Sequence, residues 1–66
     1  MEEEEIVKTL ELIGISRNES IVYLDLIRCG KSSPMDISKR IGMHRSNTYD
    51  VLESLLKKGI VDESII

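Results

Sequence analysis

Residues 37–59 read ISKRIGMHRSNTYDVLESLLKKG. The stretch divides into the end of one helix, a turn at Gly42 and a longer second helix stopped by Gly59. In the second helix Thr48, Val51, Leu52 and Leu55 recur at i, i+3, i+4 and i+7, one apolar stripe facing a core. Leu56 borders that stripe, while Arg45, Ser46, Tyr49, Asp50 and Glu53 fall on the outward side. No core needs those residues. In the shorter helix Ile37 and Ile41 point inward, and the small Ser38 lets two helices cross closely. Gly42 permits the sharp turn, with Met43 filling the space beneath it. Two such helices form a helix-turn-helix over about 34–58. In that unit the second helix, here about 45–58, enters the DNA major groove with its N-terminal residues at base edges.

The rest of the chain supplies further helices. Ser33, Pro34 and Asp36 are a cap, a first-turn proline and an acidic first-turn residue for the shorter helix. Upstream, Ser16 and Glu19 have capping-box spacing, and Ile21, Val22, Leu24, Leu26 and Ile27 carry a helix to about Cys29, with Gly30 beyond it. Ile6, Val7, Leu10 and Ile13 recur at helical spacing after a glutamate run, and Gly14 ends that helix. The β-branched tail from Ile60 reads as one strand. The expectation is a mainly α single domain over residues 1–66, a three-helix core plus an N-terminal helix. Strand content is confined to residues 31–33 and 60–65.

Composition limits what such a chain does. Sixty-six residues make one small core. The single cysteine, Cys29, allows no intramolecular disulfide, which fits a reducing cytoplasm. Cys29 reads as a small core residue. No apolar run approaches membrane-spanning length, and the opening Met and four glutamates show no signal-peptide pattern. One histidine and one cysteine give no metal-ligand cluster, and no glycine-rich phosphate loop is present. The expectation is therefore no metal, no cofactor and no enzymatic activity. The net charge of −3 is unevenly spread: residues 1–30 balance to −4, and residues 31–59, with Lys31, Lys39, Arg40, Arg45, Lys57 and Lys58, to +3. The local balance sets the electrostatic footprint, and here it falls on the helix-turn-helix.

The sequence also resembles the N-terminal winged-helix domain of the TrmB-like family, archaeal transcriptional regulators often tied to sugar metabolism. The resemblance covers about residues 10–61 and rests on LIGIS, VYLDLI, DISKRIGM and above all RSNTYDVLESLLKKGIV. It departs at His44, where proline is usual, and at Asn47, where a basic residue is common. The resemblance implies a winged helix-turn-helix that binds operator DNA. It also implies that a hairpin wing and a long effector-binding domain follow residue 61, so the wing within 66 residues is expected to be truncated or incomplete.

On this reading double-stranded DNA is the partner, contacted by Ser33, Lys39, Arg40, His44, Arg45, Ser46, Asn47 and Tyr49. Arg45 is the candidate base reader, and Ser46 either caps its helix or faces the groove. Lys39 and Arg40 lie on the helix that crosses the backbone and are expected at phosphates, as is His44. Ser33 stands where the exposed amides of its helix begin. Asp50 and Glu53 oppose DNA unless basic neighbours pair with them, and Lys57 and Lys58 complement a helix C-terminus. Tyr23 is structural. Ile6, Val7, Leu10 and Ile13 offer more apolar surface than three helices cover, so a homodimer through the N-terminal helix is expected. The competing reading is a winged-helix docking or dimerisation module that does not bind DNA.

Overall fold

The computed structural model describes residues 2–62, in which four helices follow one another: α1 (Glu3–Leu12), α2 (Arg17–Cys29), α3 (Pro34–Ile41) and α4 (Arg45–Lys57). Their boundaries follow from local chemistry. At the start of α2 the Ser16 hydroxyl accepts from the Glu19 amide (3.1 Å), and the Glu19 carboxylate accepts from the Ser16 amide (2.9 Å). That reciprocal pair satisfies two otherwise unpaired amides. Ser33 caps α3 by accepting from the Asp36 amide at 3.2 Å, with Pro34 in the first turn. Gly42 ends α3 in the left-handed region (φ 71°, ψ 28°), where a side chain is disfavoured. Past α4, Gly59 at φ 73° lets the Ile60 amide turn back to the Leu55 carbonyl, a Schellman-type stop.

Helices α2, α3 and α4 pack pairwise around a core of Val22, Leu26, Ile37, Leu52, Leu55 and Val61. Burying each large aliphatic side chain contributes about 1.5–3 kcal/mol relative to exposure. Thr48 completes the inner stripe of α4, fully buried, its hydroxyl donating to the His44 carbonyl. Ile41, Met43, Val51, Leu56 and Tyr23 close the edges. Helix α1 lies on α2 and seals that side with Val7, which is only 2% exposed. This is the expected three-helix core with one N-terminal helix. No helix among the described residues is long and apolar enough to cross a membrane.

Several expectations need correction. Neither residues 31–33 nor residues 60–62 form a strand; the rest of the expected strand lies outside the described residues. The cause at residues 60–62 is that Ile60 is consumed by the stop of α4 and Val61, 7% exposed, plugs the core. At residues 31–33 the backbone bends toward α3, with the Ser32 hydroxyl donating to the Gly30 carbonyl. Cys29 is exposed, not part of the core, because it lies at the last turn of α2, beyond the packed segment. Val7, expected on an outer dimer face, is turned into the core. Lys58 does not merely complement a helix end. Its ammonium reaches the Glu19 carboxylate at 2.8 Å and the Gly14 carbonyl at 3.3 Å.

Candidate nucleic-acid interface

The turn at Gly42 and Met43 delivers the chain to His44, the N-cap of α4. Its ring Nδ1 accepts from the Ser46 amide (3.3 Å) and lies 2.8 Å from the Ser46 hydroxyl. The cap is thus His44 rather than Ser46. Arg45, Ser46, Asn47 and Tyr49 are exposed on the first turns of α4, Tyr49 to 54% despite its apolar ring. The buried Thr48 between them fixes the helix rotation that holds them outward. Ser33 and Lys39, on the cap and body of α3, are exposed as well.

Arg40 behaves differently from its neighbour Lys39. Its Nε donates to both Asp25 carboxylate oxygens (3.1 and 3.2 Å), and its Nη2 donates to Asp25 Oδ2 and to the Ser32 hydroxyl, each at 2.7 Å. The Asp25 side chain is 8% exposed, so the guanidinium neutralises a buried charge. That carboxylate also raises the already high pKa of Arg40. The residue tethers α3 to α2. Sequence reading overlooked Asp25, although an acid beside the apolar stripe Val22–Leu26 is itself a signal that a cation must approach.

A second buried acid does more than its capping-box spacing implies. Glu19 is 5% exposed, and its carboxylate accepts from the Ser16 amide, the Ser54 hydroxyl (2.7 Å) and the Lys58 ammonium (2.8 Å). The Lys58 bond first, then Ser54 and Ser16, hold its pKa at about 2. The ion pairs among the described residues include Arg17–Glu4, Arg28–Glu3, Arg40–Asp25, Lys57–Glu53 and Lys58–Glu19. Of the six cations in residues 31–59, Lys31, Lys39 and Arg45 belong to none of them. The basic face is therefore narrower than a charge count gives, and Glu53 is offset by Lys57.

Comparison with known proteins bears on this geometry. Residues 10–64 match the family model described as sugar-specific transcriptional regulator TrmB. Over 62 residues, 94% of this chain, the sequence is 44% identical to the HTH-type sugar sensing transcriptional regulator TrmBL1 of Pyrococcus furiosus, of which the match covers 18%. An uncharacterized protein of Methanocaldococcus jannaschii is 33% identical over 51 residues, 77% of this chain and 42% of that protein. The chain thus spans less than half the length of these relatives. No solved structure matches it. A helix-turn-helix with an exposed polar turn at Arg45 and a family match over most of its length lead to one conclusion: the chain belongs to the TrmB family of transcriptional regulators.

Proposed function

We propose that these residues form a DNA-binding domain of a transcriptional regulator, which reads a specific duplex sequence by inserting the N-terminal turns of α4 into the major groove. The exposed Arg45, Ser46, Asn47 and Tyr49, raised on one turn above a sealed core, carry this reading. Arg45 offers five donors to a guanine edge or a phosphate. Lys39, Lys31 and the Ser33 end of α3 would meet the sugar–phosphate backbone and set register. His44, whose Nδ1 is committed to the cap, would present its other ring nitrogen as a donor. Arg40 is the exception among the candidates. Its charge serves Asp25, and its contribution would be to hold α3 at the correct angle.

A homodimer suits this function, placing two recognition helices about one DNA turn apart. The surface that supports it is shifted from the sequence expectation. With Val7 buried, the exposed apolar residues of this part are Leu12 (87%) and Ile13 (70%) at the end of α1, with Ile6 and Leu10 half-buried beside them. Apolar exposure of that kind on so small a domain supports an interface with a second copy.

The test is selection from a random duplex pool at two salt concentrations. The expected outcome is a recurring, dyad-related sequence whose affinity falls as salt rises. Two to three phosphate contacts per domain correspond to a log–log slope of about −2 to −3 per protomer. A pool that returns no preferred sequence and no salt-dependent binding would favour the docking-module reading.

A further inference from the structure

We infer that Glu19 is a positioning residue for DNA recognition: it fixes the angle of α4 through Ser54 and Lys58 and so keeps the N-terminal turn of α4 in reading geometry. The inference rests on the proposed DNA-binding function and adds a residue remote from the groove to it. Glu19 stands at the start of α2, and Ser54 and Lys58 at the far end of α4 from Arg45. Three donors, from α2 and α4, meet at this carboxylate. The Ser16 amide comes from the cap of α2, the Ser54 hydroxyl from α4, and the Lys58 ammonium from just past α4. The same ammonium reaches the Gly14 carbonyl in the α1–α2 turn.

Directional bonds are needed there because apolar packing is tolerant. Helix crossing angles scatter by about 15–20° for a given class of side-chain interlock, so Leu52 and Leu55 against Val22 and Leu26 leave α4 some freedom to tilt. Hydrogen bonds of 2.7–2.9 Å on a buried carboxylate do not. Arg45 lies nine residues before Ser54, about 13 Å along the helix. A tilt of about 10° about the Ser54 end would then carry Arg45 through about 2 Å. A bidentate base contact tolerates about 0.5 Å. A lysine on a phosphate tolerates far more, since its four-carbon stem is flexible. Loss of the anchor therefore removes discrimination before it removes non-specific affinity.

The experiment compares the wild type with Glu19→Gln and with the double variant Ser54→Ala/Lys58→Met, which cuts the α4 link but leaves the Ser16–Glu19 cap. Each is titrated against the selected duplex and a scrambled one, at a temperature where circular dichroism shows it folded. Leu56→Ala serves as a control that lowers stability without touching the carboxylate. The expected result is a drop of about tenfold or more in the selected-to-scrambled affinity ratio for the double variant. Scrambled-duplex affinity should stay within about twofold, and Glu19→Gln, whose single carbonyl oxygen can still accept from Ser16 and Lys58 while its amide nitrogen donates to the Ser54 hydroxyl, should retain an intermediate ratio. A double variant with an unchanged ratio, or a control that loses the ratio equally, overturns the inference. Wild type that shows no preference for any duplex overturns the proposed function itself, so the two failures are distinguishable.

Discussion

Lys39 and Arg40 are adjacent in sequence and carry the same charge, yet the structure gives them different work. Lys39 is exposed on α3, whereas Arg40 makes three bonds to Asp25 and one to Ser32. Removing a partner from a buried ion pair is costly because the remaining charge has lost both water and its counterion. The Arg40 side chain is 35% exposed, so solvent recovers part of that cost. Arg40→Ala should therefore lower the urea-denaturation midpoint, because it leaves Asp25 buried without its counterion, while Lys39→Ala stays within about 0.5 kcal/mol. On DNA the order reverses: Lys39→Ala should flatten the salt slope by about one unit. An Arg40→Ala protein of wild-type stability would show that the Asp25 pair is not what holds α3. Periodicity places both residues on α3, but it cannot tell which of the two is spent on the interior. That choice depends on Asp25 being within reach, a tertiary fact.

The elements themselves were legible because their signals are local. Gly42 takes φ 71° with open space around the position where a side chain would begin. Its requirement is thus conformational, and the Gly-Met turn announces it. Gly42→Ala should cost about 1–2 kcal/mol from the left-handed backbone alone, read as a lowered thermal midpoint; an unchanged midpoint would mean that the turn adapts. Ser16, Glu19, Ser33 and Pro34 likewise declare the starts of α2 and α3 within four residues. The failed strands show the other side. Ile60 and Val61 have strand-like propensity, but a helix stop and a gap in the core claimed them. Nor does any sequence rule join Glu19 to Ser54 and Lys58, which are 35 and 39 residues away. That junction has a pH signature. The ordinary value for a glutamate is 4.5, and in the fold Glu19 is held at about 2 by Lys58 first, then Ser54 and Ser16. Below about pH 4.5 the unfolded chain takes up a proton that the folded chain refuses, so this stabilisation is complete above that pH and fades as pH falls toward 2. Stability measured from pH 6 to pH 2 should fall more steeply for wild type than for Glu19→Gln. Parallel curves would place the acid sensitivity elsewhere.

At the scale of the whole molecule, the two halves of the chain differ in charge. The N-terminal 30 residues balance to −4 and hold the exposed Leu12 and Ile13, while residues 31–59 balance to +3 and hold the polar turn of α4. The exposed Leu12 and Ile13 suit a dimer seam at the end of α1, a different helix from the one that carries the polar turn. Light scattering at micromolar concentration should report a dimer for wild type and a monomer for Leu12→Ser/Ile13→Ser; wild type that remains monomeric would remove α1 as the seam. The proposed function, however, depends on α4 reading sequence. The most direct measurement is the affinity of wild type and Arg45→Ala for the selected duplex and a scrambled one, each titrated with salt. Arg45→Ala should cost about 1–3 kcal/mol on the selected duplex and much less on the scrambled one. Equal losses on both would make Arg45 a phosphate clamp, and no loss on either would mean that α4 does not enter the groove.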